Sequence, residues 1–223
     1  MAYTGKDFEH FKIKNASIQL LNPDGTSEPG VRFGCMGSLD QTNNTEEYTK
    51  TCEGVVIGTE TVLKSAVVNV AAHVVIDILR SIFGLSNEGL RPGVWSYGTR
   101  NTGRRFIFTA EIENMRKTES KLVAYPNCST TGGFAFSIDN AAATLAQMTV
   151  NFNALADAYD QVYYEAIKSD LPEYIANTWH TMFSRHLVEN RPPVRVQPLI
   201  LSGVAATGQQ PYRQNMFRGY NTL

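Results

Sequence analysis

Between Val62 and Ile76 the apolar residues Val62, Ala66, Val68, Val70, Ala72, Val74 and Ile76 share one parity, spoiled only by Lys64, while Ser65, Asn69 and His73 take the other. A period of two predicts a strand with one dry face and one wet face, and such strands suit an antiparallel sheet. The pattern recurs downstream. Phe106, Phe108, Ala110 and Ile112 oppose Glu111 and Glu113, with Lys121–Tyr125 as the expected antiparallel partner. After a turn at Gly132-Gly133, Phe134, Phe136 and Ile138 oppose Ser137 and Asp139. Over 147–160, Val150, Phe152, Ala154 and Ala156 oppose Asn151, Asn153 and Asp157.

Upstream, Phe11 and Ile13 lie on one parity and Ala16, Ile18 and Leu20 on the other, which predicts a bulge at Asn15. Asn22-Pro23-Asp24-Gly25 supplies turn residues. The stretch 26–61 is rich in Gly, Thr, Asn and Glu and reads as a long, partly extended loop or hairpin projecting from the core. At Ile76 the period changes: Ile76, Leu79, Ile82 and Phe83 fall at helical spacing and Gly84 is the expected stop. Residues 89–103 read as a second long loop. After Tyr164, Asp170 is a candidate cap with Glu173 three residues on, and Ile175, Trp179, Met182, Phe183 and Leu187 form a stripe that predicts a helix running to about Asn190. Pro192-Pro193 ends it, and 191–223 reads as an extended tail unable to fold alone.

The 223 residues, 43% hydrophobic and 18% charged, exclude global disorder and allow a sizeable core. The net charge of −1 argues against a protein that grips nucleic acid. Its distribution is uneven: residues 1–60 carry nine acids against five bases, and 161–223 four acids against six bases. An acidic front and a basic end can pair head to tail between copies. The N-terminus lacks the apolar run of a secretion signal and no stretch reaches a membrane span of about 20 apolar residues, so a cytosolic chain is expected. Cys35, Cys52 and Cys128 are odd in number and far apart, which argues against a disulfide framework and against paired zinc knuckles.

Chemistry is sparse. The Gly132-Gly133 pair lacks the lysine of a phosphate loop, and His10, His73, His180 and His186 include no pair at metal-ligand spacing. Glu111 and Glu113 share a strand face without an accompanying nucleophile or metal set. Arg100, Arg104 and Arg105, flanked by Tyr97 and Phe106, read as an interface or solvated cluster. Neither catalysis nor a cofactor is expected.

The order of these features resembles the major tail tube protein of long-tailed bacteriophages. The likeness is carried by Phe11-Lys12-Ile13-Lys14-Asn15, the turn at Asp24-Gly25, the Gly/Thr-rich stretch reaching Thr59-Glu60-Thr61, Val68-Asn69-Val70, the short helix ending Ile82-Phe83-Gly84-Leu85, and the strands with Phe134-Ala135-Phe136 and Thr149-Val150-Asn151-Phe152-Asn153-Ala154. It spans about residues 8–160. It implies a mainly β fold of two packed antiparallel sheets, sandwich- or barrel-like, with a short flanking helix. Here 1–164 would form that domain, with 26–61 the inter-ring loop, and 165–223 an added helix and arm. It further implies hexameric rings stacked into a tube in the virion tail, made in the host cytoplasm, through which DNA passes without specific binding. The implied partners are copies of the chain, terminator, baseplate or tip and tape-measure proteins, and optionally a sheath; no membrane is involved. Glu111, Glu113, Asp139 and Asp157, opposite the dry faces, are the expected lining of the bore. The C-terminal helix either decorates the tube through Ile175, Trp179, Met182 and Phe183, with 191–223 crossing to a neighbour, or covers the subunit's own sheet. The competing reading is a β-sandwich binding module for carbohydrate or a partner protein, with Trp95-Ser96-Tyr97 as its one candidate site.

Overall fold

The computed structural model describes residues 8–136 and 145–190. The chain runs through β1 (His10–Leu20), β2 (Val31–Arg32), β3 (Gly34–Cys52), β4 (Val55–Val74), α1 (Ile76–Phe83), β5 (Phe106–Asn114), β6 (Ser120–Thr130), β7 (Met148–Leu155), β8 (Tyr164–Ile167), a 3-10 turn Lys168–Asp170, α2 (Glu173–Thr178) and α3 (Arg185–Val188). All pairings are antiparallel, in the order β2-β1-β5-β6-β7-β4-β3 with β8 added on β6. The fold is mainly β, as expected.

The strands belong to one hydrogen-bonded sheet that folds over on itself at β6. Ser120–Tyr125 of β6 pair with β5 and, over Lys121–Ala124, with β8, while Cys128–Thr130 pair with β7, Cys128 keeping Phe106 of β5 as a second partner. Pro126, which has no N–H for a ladder, sits between these parts, and the β5–β6 register shifts beside it. Folding over is evident from Tyr125 on β6, whose hydroxyl donates to Gln41 Oε1 on β3 at 2.7 Å although β7 and β4 separate the two strands in the sheet. Phe33 closes the far side: its N–H donates to Ala16 O at 2.9 Å and its carbonyl accepts from Val75 N at 3.0 Å, linking β1 to the end of β4. Between the layers lie Ile18, Val68, Val70, Phe106, Phe108, Val150 and Phe152, with the Phe108 and Phe152 rings 5.2 Å apart.

Local details follow the sequence closely at several points. Asn15 adopts φ 53 where the β1–β5 register slips, so Ile13 and Ile18 both turn inward despite opposite parity. α1 buries Ile78, Leu79, Ile82 and Phe83 and stops at Gly84, whose φ of 70 is left-handed. The stretch 26–61 contains β3 and most of the outer arm of β4, a hairpin turned by Glu53 (φ 51) and Gly54 (φ 82) as a two-residue turn.

Elsewhere the expectations need correction. Phe134 and Phe136 lie outside any strand, and Ile138 falls outside the described residues. β7 stops at Leu155 because Asp157 turns the chain, accepting from the N–H groups of Tyr159 and Gln161 at 2.8 and 3.0 Å. The single helix expected over 170–190 is two short ones. Asp170 does not cap α2; Pro172 takes that position without a side-chain bond. The break comes where the backbone is diverted to the sheet: His180 O accepts from Ser17 Oγ at 2.7 Å and Thr181 O from Gly30 N at 2.7 Å.

This C-terminal segment covers the subunit's own sheet. Ile175, Ala176, Trp179 and Phe183 pack on Ile107, Leu122 and Ala124, on the side of β5 and β6 away from the main core, and Trp179 Nε1 donates to Val123 O at 3.2 Å. Met182 points to solvent. Segment 165–189 therefore belongs to the same compact unit as the strands.

Candidate assembly surface

The covered face explains where the expected carboxylates go. Glu111 is 1% exposed. Asn15 Nδ2 donates to its Oε2 at 2.7 Å, and Lys168 Nζ and Lys14 Nζ lie 3.3 and 3.5 Å from its Oε1. Burial pushes this carboxyl up, but hydrogen bonds from Asn15 and Ser120 and the charges of Lys168 and Lys14 outweigh it and hold the group below the usual carboxylate range. Glu111 thus fastens β1, β5 and the segment after β8, and it does not face solvent. Glu113, half-buried, pairs with Lys14 Nζ at 2.9 Å, a bond that lowers its pKa. Asp157 spends both oxygens within the subunit, the second on the Tyr164 hydroxyl at 2.6 Å. Asp139 lies outside the described residues. What sequence reasoning missed is the cover: parity separates the two faces of a strand, but it does not show that a later segment will close the polar one.

The open polar face lies on the other layer. Register places Asp40, Asn69 and Asn151 in one row across β3, β4 and β7, with Thr42, Val67 and Asn153 on one side of it and Ser38, Ala71 and Thr149 on the other. These side chains are exposed or half-buried, opposite a dry face of Ala66, Val68, Val70, Val150 and Phe152. Segments 38–44, 65–73 and 148–155 contain no lysine or arginine, and Asp40 is their only carboxylate. The face is a field of amides and hydroxyls.

Beyond Ser65, the last β4 residue paired with β7, the β3–β4 hairpin leaves the sheet. Residues 43–64 are exposed throughout. Among them are Tyr48, Leu63 and the consecutive Val55, Val56 and Ile57, which are 65, 57 and 56% exposed. Lys64 pairs with Glu46 at 2.9 Å, whereas Glu47, Glu53 and Glu60 make no ion pair among the described residues.

The remaining sequence candidates have structural roles or no companions. Arg104 donates to Glu28 and Asn22 and Arg105 to Asn127, so the basic cluster is largely engaged. Arg80 lies over Trp95 at 4.5 Å, covering one face of the ring. No group of three or more His, Cys, Asp or Glu that could hold a metal occurs among the described residues. Cys35 and Cys52 are exposed free thiols; burial pushes the Cys128 thiol far up.

No family model and no curated protein matches the chain. Among solved structures it is similar to the anti-feeding prophage cap, the AFP tube terminating cap seen by cryo-EM, with 15% identity over 74% of this chain and 99% of that chain and a TM-score of 0.39. A likeness at that level transfers no function.

Proposed function

We propose that this protein is a structural subunit of a phage-type tail tube, in which copies join as hexameric rings that stack into a conduit for DNA. The observation that carries this reading is the β3–β4 hairpin. An arm exposed along its whole length, with a run of Val55, Val56 and Ile57 at its end, has no covering partner among the described residues of its own subunit, and exposed apolar patches mark interaction sites. The order of elements resembled in the sequence, from the bulged first strand through the hairpin to the short helix stopped at Gly84, supports the same reading.

The bore is assigned to the uncovered face of β3, β4 and β7 rather than to Glu111, Glu113 or Asp157. A wall of Asn69, Asn151, Asn153, Thr149 and Ser38 offers DNA no cation. A handful of lysine or arginine contacts to phosphate raises affinity by about 10³–10⁵ at low salt, and passage requires that this adhesion be absent. Terminator, tip or baseplate and tape-measure proteins are the further partners of such a tube, and the reading assigns the subunit no catalysis. Against a carbohydrate site stands Trp95, one face of which is occupied by Arg80.

Negative-stain microscopy of the purified full chain, over a concentration series, tests the reading. Rings or tubes are expected; a monodisperse monomer at every concentration rejects it.

A further inference from the structure

We propose that the arginine-lined groove at the Leu20 end of β1 is the seat for the acidic hairpin of a second copy of this chain; this deepens the assembly reading and rests on it. The groove encloses about 910 Å³ between the Asn22–Gly25 turn, the loop Gly103–Arg105, the turn at Asp157–Tyr159 and Arg185. Arg104 and Arg105 line it, tied down by Glu28 and by Asn127. Arg185 is different. Its guanidinium lies over the Tyr159 and Tyr164 rings, at 5.2 and 5.8 Å, and its Nε is buried with no hydrogen-bond partner among the described residues. The one carboxylate in the lining, Asp157, has its oxygens occupied by Tyr159, Gln161 and Tyr164. The recess therefore sets three guanidiniums, Arg104, Arg105 and Arg185, against two carboxylates, Glu28 and Asp157, and it has a buried donor, Arg185 Nε, without an acceptor among the described residues.

The complement is the hairpin, where Glu47, Glu53 and Glu60 are exposed and make no ion pair among the described residues, against a single lysine, Lys50, between 43 and 63. Strand direction puts the two features at opposite ends. Phe33 bonds to Ala16, and Gly37–Gln41 line one cleft with His10–Ile13, so β1 and β3 lie side by side with the His10 end toward the hairpin. The groove sits at the other end of β1, about 30 Å away for a strand of this length. A molecule with an acidic projection at one end and a basic recess at the other makes a heterologous contact, which repeats from copy to copy.

Cys52, exposed beside the hairpin turn, supplies the test. In a Cys35→Ser background, Ala158→Cys places a thiol on the exposed rim of the groove. Mild oxidation is expected to give a ladder of covalent multimers linked between residues 52 and 158, lost when Cys52→Ser is added and identified by peptide mapping. Separately, Arg185→Glu is expected to weaken assembly at least tenfold, and Glu53→Lys in the same chain to restore it. Tubes that form with only 52-to-52 links, with a link inside one chain, or with none overturn the groove assignment and leave the assembly reading intact. A chain that neither assembles nor cross-links overturns both.

Discussion

Asn15 Nδ2 donates to Glu111 Oε2 at 2.7 Å, joining the one left-handed residue of β1 to the one fully buried carboxylate of β5. Asparagine serves both needs: its short side chain tolerates positive φ and reaches the carboxylate that the bulge brings within range. Asn15→Ala should lower unfolding free energy by about 2–4 kcal/mol, combining a lost bond to a charged group with left-handed strain. Asn15→Gly, which relieves the strain alone, should cost less. Urea denaturation of the two variants checks the order; an alanine variant as stable as the parent would refute the role.

The same carboxyl sets an acid limit. Because its folded pKa lies below the ordinary glutamate value of 4.5, the stability it contributes is complete above that value and is lost as pH falls through the folded value. Glu111→Gln should flatten the stability profile below about pH 4.5. A profile as steep as the parent's in that window would assign acid sensitivity to other groups.

His180 governs a separate window. Its Nδ1 lies 3.0 Å from Thr109 Oγ1, and its Nε2 is buried with no partner among the described residues. Burial lowers its pKa below 6.5, with Glu111 pulling the other way and Lys168 adding to the lowering. The unfolded chain therefore takes the proton first: stability is complete above 6.5 and declines as pH falls below it toward the folded value. His10, also lowered by burial, contributes in the same direction. Urea midpoints should fall between neutral pH and about pH 5, and His180→Gln should remove most of that slope whatever its effect on the midpoint itself. An unchanged slope is the contrary result.

How far the fold was legible depends on the range of the interaction. The bulge at Asn15, the stop at Gly84 and the parity of β4 and β5 are local, set by φ preference and by alternation, and all were readable. The break in the C-terminal helix was not, because His180 and Thr181 direct their carbonyls to Ser17 and Gly30, some 150 residues earlier in the chain. Glu111 misled for the same reason. Its wet-face parity was real, but its surroundings are decided by Asn15 and Lys168, which no pattern within β5 reveals. Conversely the amide row Asp40, Asn69 and Asn151 was present as isolated polar positions and became a surface only through the register of three strands.

Gly30 is where the cover touches the strands most tightly. A Cβ there would meet His180 O at 2.1 Å, a backbone atom with little room to retreat. Gly30→Ala should cost about 1–3 kcal/mol or more and loosen the segment carrying Trp179. Trp179 is 1% exposed and Trp95 36%, so the buried indole dominates any change in environment. A red shift in tryptophan emission, well before global unfolding in urea, is expected; emission like the parent's through the whole transition would show that the cover tolerates the methyl.

The neutrality of the β3–β4–β7 face can be tested by giving it charge. Asn69 and Asn151 are register partners in the row, each five residues along the chain from the nearest hairpin or groove residue, Lys64 and Ala156, and both already point away from the core, so lysine at either position leaves packing intact. If this face lines the bore, assembled Asn69→Lys/Asn151→Lys tubes present a ring of cations to each passing phosphate. DNA should then be retained, with an affinity that falls steeply as salt rises, while parent tubes bind none at the same ionic strength. Gel-shift or co-sedimentation with short duplexes across a salt series reads both quantities. The monomer separates geometry from charge alone: two lysines on an open surface give weak, shallow binding, whereas repetition around a closed wall multiplies the released counterions and steepens the slope. Variant tubes that bind no more DNA per subunit than variant monomers would place this face outside the bore.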